Sequence, residues 1–273
     1  MRRTGMAFVL SVFVSSAASA AQAAGPIFLQ SHRAVYDLTL SRANEGAQVD
    51  SLQGRMVYEF AGSPCKGYRT RFRFVTRIEN GDTSRLTDLQ TSNYESGDGR
   101  TFQFANTTLV NSAKTQEVAG SAEVTGSATD VRLTKPAAKT LRLEPSQFPT
   151  THMLEIIRRA EAGESFYQTT IFDGSDDADK VMATTVVIGK PELAEKAGAQ
   201  PGDPEFLSGQ PSWPVSIAYF DPAERGAGLP SFRTTFRLFA NGITSDLVMD
   251  YGDFSVAGKL VDLKLLDTPK CPG

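Results

Sequence analysis

The sequence predicts an all-β protein, strand-rich with one or two helices, on three observations. About thirteen runs alternate apolar and polar side chains with the period of two that marks a strand with one face buried. Clusters of turn-forming residues separate them, among them Asn80-Gly81-Asp82, Gly97-Asp98-Gly99 and Asp173-Gly174-Ser175. Only one segment carries a convincing helical period.

Residues 1–23 stand apart from the fold. Arg2 and Arg3 make a basic start, residues 6–14 an apolar stretch too short to span a bilayer, and Ala21-Gln22-Ala23 a cleavage site, together a secretory signal peptide. Removing those 23 of the 273 residues leaves 250, and losing Arg2 and Arg3 takes the net charge from −3 to −5. A mildly acidic chain without a dense basic cluster has no use for nucleic acid as a partner. No later run approaches the roughly eighteen apolar residues of a membrane helix, so the exported chain is expected to be soluble rather than an integral membrane protein. Residues 24–273 read as one domain, without an internal repeat or a dividing linker.

The first strand, 32–40, sets Ala34, Tyr36, Leu38 and Leu40 against Arg33, Asp37 and Thr39, and 52–60 repeats the pattern with Met56, Tyr58 and Phe60. Further strands are expected at 68–78, 84–94, 101–110, 115–124, 130–134, 165–172, 181–188 and 213–220. The helix falls between the seventh and eighth of these. Thr150 or Thr151 can cap it, Met153, Ile156, Ile157 and Ala160 lie on one face, and Gly163 stops it. Its apolar stripe must lie on the sheet, covering or plugging a barrel, and Met153, Ile156 and Ile157 are the candidates for lining a cavity there. A shorter helix is expected at 191–197, opening a Gly- and Pro-rich loop to 211 that is the segment expected to move.

The C-terminal run is the most regular. Phe232, Thr234, Phe236 and Leu238 alternate with Arg233, Thr235, Arg237 and Phe239, and Asn241-Gly242 signals a two-residue hairpin turn. That turn puts Arg237 opposite Asp246, Phe236 opposite Leu247, Thr234 opposite Met249 and Arg233 opposite Asp250, so that one face is apolar and the other pairs arginines with aspartates. After a bend at Gly252, Val261, Leu263 and Leu265 share one side of the last strand. Two cysteines in an exported chain read as one structural disulfide, Cys65 to Cys271, whose loop entropy has an upper value of roughly 5 kcal/mol.

Catalytic motifs are missing: no G-x-S-x-G, H-E-x-x-H, C-x-x-C or phosphate-binding glycine loop occurs. The two histidines, His32 and His152, are too few for a hydrolytic metal site; His152 with Glu155 reads as a capping or surface pair. The cluster Asp173, Asp176, Asp177 and Asp179 lacks EF-hand spacing and reads as a solvated turn. Neither metal nor cofactor is expected. Residues 68–78 place Arg69, Arg71, Arg73 and Arg77 on one strand face, with Tyr68, Phe72, Phe74 and Ile78 on the other. Such a row is either a ladder paired with acids such as Asp82, Asp88 or Glu59, or a stripe for an anionic partner.

The run His32-Arg33-Ala34-Val35-Tyr36, the turn Gly97 to Phe102, Phe148-Pro149-Thr150 before His152-Met153, Phe172 to Asp176, Ser212 to Ser216 and the cysteine placement together resemble the EipB family of alphaproteobacterial cell-envelope integrity proteins. The resemblance implies a periplasmic protein whose long antiparallel sheet coils into a spiral or broken barrel, similar to carriers of lipoproteins, with one structural disulfide and no known catalytic residue. The stretch 192–209 is longer than the resemblance requires. The expected function is a non-catalytic factor supporting envelope integrity by binding other periplasmic or outer-membrane proteins. The alternative is a carrier of lipid or acylated protein in a hollow between helix and sheet, with lipid or lipopolysaccharide as partner. A glycan- or peptidoglycan-acting enzyme is a third class.

Overall fold

The computed structural model describes residues 27–193, 207–222 and 228–271. The leader and most of the 191–211 loop lie outside them. Eight strands form a first meander: β1 (His32–Ala43), β2 (Ser51–Ser63), β3 (Gly67–Asn80), β4 (Thr83–Glu95), β5 (Thr101–Val110), β6 (Ala113–Val124), β7 (Thr129–Lys135) and β8 (Lys139–Leu143). Helix α1 (Pro149–Glu161) follows. The second meander is β9 (Phe166–Ile171), β10 (Met182–Ile188), β11 (Glu192–Leu193), β12 (Pro211–Phe220), β13 (Phe232–Phe239), β14 (Thr244–Asp250) and β15 (Phe254–Leu265).

All fifteen strands belong to one antiparallel sheet, in the order β8 through β1, then β15 to β12, β10 and β9, with β11 beside β12. The two meanders are stitched together where β1 pairs with β15, so the middle of the sheet is made from the two ends of the chain. Its outer lips, β8 and β9, flank α1 in sequence. They do not zip into a barrel. A lone parallel bridge, Gln147 to Ile171, touches β9 from the segment after β8, with Gln147 N–H donating to Thr170 O and Phe172 N–H to Gln147 O, each at 2.9 Å. This is the open spiral expected for the fold.

α1 lies on the concave face. Ile156, Ile157 and Ala160 are buried against Tyr167, Val186, Ile188, Trp213, Val215 and Leu238; each isoleucine contributes about 1.5–3 kcal/mol of apolar transfer. A second core joins β1, β2, β14 and β15 through Tyr36, Leu38, Met56, Met249 and Val256. A third packs Phe102, Phe104, Val118 and Val131 under the helix entrance with Phe148 and Phe172.

Several expectations change on contact with the fold. The short β8, residues Lys-Thr-Leu-Arg-Leu, escapes detection because it is a polar edge strand. Where a helix was expected at 191–197, Glu192 and Leu193 form β11 against Ser212 and Pro211; residues 194–197 lie outside the described residues. Pairing with β12 wins over the local helix signal. Val261 is the extra residue of a bulge, since Val35 pairs with Asp262 but Tyr36 with Leu260; it points outward, 38% exposed, while Leu263 stays on the inner side.

The β13–β14 hairpin is also built differently. Arg233, Thr234 and Thr235 face Asp250, Met249 and Val248 as expected, but nearer the turn Arg237 faces Ser245 and Leu238 faces Thr244. The connection is the three-residue loop Ala240-Asn241-Gly242, closed by Gly242 N–H to Phe239 O and Phe239 N–H to Ile243 O, with Gly242 at φ 83°. A type I turn followed by a left-handed glycine is the next most common hairpin connection after the two-residue turns. The one-residue slip is absorbed by a bulge at Asp246 and Leu247, which both oppose Phe236; Asp246 sits at φ 52°. Arg237 still reaches Asp246, its Nε donating to Oδ2 at 3.2 Å.

Candidate functional site

A cavity of about 160 Å³ lies beneath the start of α1. Its walls come from the inner faces of β1 to β4, from Phe102 on β5, from Leu29 before β1, from Asn241 and Gly242 of the hairpin loop, and from Pro149, Thr150 and Met153 of the helix. Of the three expected lining residues only Met153 faces it. Ile156 and Ile157 are one turn further along, sealed into the helix–sheet core.

Strand β4 supplies the polar floor. Tyr68, Thr70, Phe72 and Phe74 of β3 face inward, and they pair with Glu95, Asn93, Thr91 and Leu89. Glu95 is 2% exposed. Its Oε2 accepts Thr150 N–H at 2.7 Å, and its Oε1 accepts Thr151 N–H at 2.8 Å and Thr151 Oγ–H at 2.6 Å. The helix is therefore capped from a distant strand. Phe148, not Thr150 or Thr151, is the N-cap residue; it has no side-chain acceptor, and Pro149 occupies the first turn. Burial pushes the Glu95 carboxyl above the usual range, and the hydrogen bonds from Thr151 and Thr150 pull partly back. A carboxylate at a helix N-terminus also complements the macrodipole.

Three further groups line the space. Asn93 Oδ1 is buried without a hydrogen-bond partner. His32, 2% exposed, has Nδ1 2.7 Å from Gln30 O; burial holds its imidazole below the ordinary value, so Nδ1 donates and Nε2 is left as an acceptor. Tyr58 is pushed up to about 12 by burial and is hydrogen-bonded to Thr70. Sequence reasoning missed Glu95 and Asn93. The signal was there in phase: Glu95, Asn93 and Thr91 fall on the face of β4 that the pairing with β3 turns inward, where apolar residues belong.

His152 is not a surface residue. It is 3% exposed, its ring 6.3 Å from that of Tyr167 and its Nε2 unpartnered. Burial depresses its pKa to about 4, against a smaller opposing effect of Glu155. A base held neutral in the native state binds fewer protons than the unfolded chain between pH 6.5 and 4. Stability should thus fall as pH drops through that window, by about 3 kcal/mol in full. Urea unfolding at pH 7 and pH 4.5 measures it; the same loss in His152→Leu would assign the effect elsewhere.

The arginine row is on the outer face of β3 as expected. Arg73 Nη2 donates to Asp88 Oδ2 at 2.8 Å and its Nε to Oδ1 at 3.1 Å, Arg71 lies 3.7 Å from Glu59, Arg77 donates to Ser84 Oγ, and Arg69 covers the Tyr94 ring. The acidic loop holds together locally: Asp173 Oδ1 accepts Ser175 N–H, and Asp176 pairs with Lys180. Among the described residues no three His, Cys, Asp or Glu side chains converge on one point.

At the rim, Cys65 in the β2–β3 turn is bonded to Cys271 in the tail after β15, Cα atoms 5.6 Å apart. Gly97 of the β4–β5 turn packs on this corner so closely that a Cβ would lie 1.6 Å from Pro64 O. A groove of about 680 Å³ runs along it between Phe28, Pro64 and Pro269. It shares Leu29, Tyr68 and Asn241 with the inner cavity.

The chain resembles known proteins over nearly its whole length. The EipB-like family model matches residues 23–267. The chain belongs to the EipB-like family. It is 52% identical over 258 residues to the cell envelope integrity protein EipB of Brucella abortus strain 2308, covering 93% of this chain and 90% of that one. A crystal structure of a β-barrel-like protein of the domain of unknown function DUF1849 from Brucella abortus superposes with a TM-score of 0.83 at 50% identity. That match covers 89% of this chain and all of the other. Membership of the EipB-like family supports a role in envelope integrity. Among the described residues no helix is long and apolar enough to cross a membrane.

Proposed function

We propose that the protein is a non-catalytic periplasmic factor that supports envelope integrity by binding other periplasmic or outer-membrane proteins. The relation to EipB, 52% identity across nearly the whole length of both chains, carries this reading. In the same reading residues 1–23 are removed as a signal peptide and 24–273 fold as one domain; the family match starting at residue 23 supports that division. Glycan cleavage needs two converging carboxyl groups. The cavity lining has one, Glu95, and it is committed to the backbone of α1.

The outer face of β3 is the proposed meeting surface for an anionic partner, because Arg69 and Arg77 have no carboxylate in ion-pair contact among the described residues. Exposed pairs such as Arg73–Asp88 contribute at most about 1 kcal/mol. Arg71→Gln, Arg73→Gln is therefore expected to melt within a few degrees of the wild type while binding anionic envelope lipid or the co-purifying partner more weakly, an effect that added salt mimics in the wild type. Unchanged binding and full envelope function in that variant would remove the arginine face from the proposal.

A carrier of lipid or acylated protein is the second reading, favoured by the groove that runs from the disulfide toward the inner cavity. Native mass spectrometry of protein taken from its own envelope separates the two. Bound protein supports the first reading, and bound lipid supports the second.

A further inference from the structure

Of the two lips of the sheet, one is guarded against further pairing and the other is not. β8 carries Lys139 and Arg142 within its 5 residues, with Pro136 before it and Pro145 after it, the charges and prolines that blunt an exposed edge. β9 runs Phe-Tyr-Gln-Thr-Thr-Ile without a charge, a proline or a bulge, and β10 is its one neighbour among the described strands. Ile188 N–H donates to Ser165 O at 2.9 Å, which sets the phase of that ladder: Ser165, Tyr167 and Thr169 turn their backbone groups to β10, while Phe166, Gln168 and Thr170 turn theirs away. Only the far end of the outward side is used. There Gln147 bonds to Thr170 O and Phe172 N–H as a parallel strand would, and the contact goes no further because Pro145, two residues back, has no N–H to give to Gln168 O. Among the described residues the N–H groups of Phe166, Gln168 and Thr170 and the carbonyls of Phe166 and Gln168 have no hydrogen-bond partner. Beside them Phe166 is 57% and its cross-strand neighbour Val187 48% exposed, and an open hollow of about 520 Å³ follows Gln168, Thr170, Ala183, Thr185 and Phe220, none of them charged.

We propose that the free edge of β9 is a docking site for an extended, uncharged segment of another protein, which adds to the sheet as one more strand. The inference rests on the reading that the protein binds other proteins, and it places this contact away from the arginine face of β3. Main-chain hydrogen bonds to Phe166 and Gln168 supply the affinity, and side chains at every second position, packed beside Phe166 and into the hollow, supply the selection. The segment is uncharged because an acid or a base seated there would lose water and meet no counter-charge: the outward residues of β9 and β10 are Phe166, Gln168, Thr170, Ala183, Thr185 and Val187. That an extended stretch fits this edge is already visible in Gln147, which occupies its far end. A second copy of the chain fits less well. Two β9 strands paired about Gln168 would set Glu164 of one opposite Phe172 of the other, where Gln147 sits. Paired about Tyr167 they would have only Phe166 and Gln168 to offer, since Glu164 N–H is held by Arg159 O at the end of α1.

Random peptides displayed on phage and selected on the disulfide-bonded protein test the proposal. Uncharged peptides with alternating β-branched or aromatic residues should be enriched. The best of them, synthesised, should bind one per chain in isothermal titration and slow hydrogen exchange at Phe166 and Gln168. N-methylation along that peptide should weaken binding at least roughly tenfold at every second residue and little at the residues between, the period of a strand bonded on one side. Gln168→Pro should weaken binding as much while melting within a few degrees of the wild type, because the amide it removes faces away from β10. The N-methylation series uses the wild-type protein and so decides the matter even if the proline variant folds poorly. No enriched peptide, N-methylation effects without that period, or undiminished binding to a folded Gln168→Pro protein would overturn the proposal. Peptides that depend on Arg71 and Arg73 instead would overturn it while supporting the arginine face. A wild-type dimer in sedimentation equilibrium that Gln168→Pro dissociates would overturn it as well, by giving the edge to a second copy.

Discussion

Phe148→Ala is expected to lower the free energy of unfolding by about 3–5 kcal/mol, a large part of the stability of a typical domain. Phe148 is fully buried, stacks on Phe102 with ring centroids 5.1 Å apart and meets Phe172 edge-on at 6.4 Å. It does more than fill space. It is also the N-cap residue of α1, one position beyond the bridge that touches β9, so its ring fixes where the helix enters and where the two lips of the sheet meet. Removing it leaves a cavity between a helix end and two sheet edges that have little else to hold them together. Urea denaturation should show the midpoint falling with the slope unchanged. A loss below about 1 kcal/mol would mean that Phe102 and Phe172 collapse into the gap, and the corner would then be softer than its packing indicates.

Replacing Cys271 by serine, or reducing the bond, is expected to cost about 2–5 kcal/mol. The bond closes a loop of 206 residues in sequence and ties the β2–β3 turn to the tail after β15, two elements on either side of the start of β1. Weak polar contacts share this corner: Ser31 N–H donates to Thr268 Oγ1 at 3.1 Å, and Gly62 N–H to Ser31 Oγ at 3.3 Å. Without the bond the tail is held by Thr268 on Ser31 and by two hydrogen bonds at Leu266, whose N–H donates to Ser31 O at 2.8 Å and whose carbonyl accepts Gln30 Nε2 at 3.1 Å. Thermal melts with and without reductant measure the cost. Alkylation of the denatured, unreduced protein should label neither cysteine; labelling of both would show the thiols free.

The strands were legible because binary alternation is a local property, and nearly every strand of six residues or more has it. Register near a turn was not. Asn241-Gly242 fits a two-residue turn and a three-residue loop equally well, and the choice was settled by Gly242 taking the left-handed conformation while Asp246 bulged to restore the pairing further down. The arginine row and its partners Glu59 and Asp88 could be named from phase alone, since the partners lie on adjacent strands. Glu95 could not. Its function as a cap depends on Thr150 and Thr151, some 55 residues away, and on the coil of the sheet that brings a strand end under a helix end. His152 was misplaced for a related reason: a helix with a wide buried face hides a polar residue that periodicity alone assigns to solvent.

The pairing of β1 with β15 also bears on how the chain is made. The first meander can zip hairpin by hairpin as the chain is delivered N-terminus first, yet the free side of β1 has no partner until the last strand arrives. The wait lasts until all of the chain between His32 and Phe254 has been delivered. Throughout that interval the nascent sheet carries a bare twelve-residue edge, its inner side lined by Ala34, Tyr36 and Leu38, the combination from which strand-mediated aggregation starts. The demand for a holding chaperone is therefore greatest just before β15 arrives, and a nonsense codon that removes β15 alone should yield insoluble protein rather than a shortened, functional sheet.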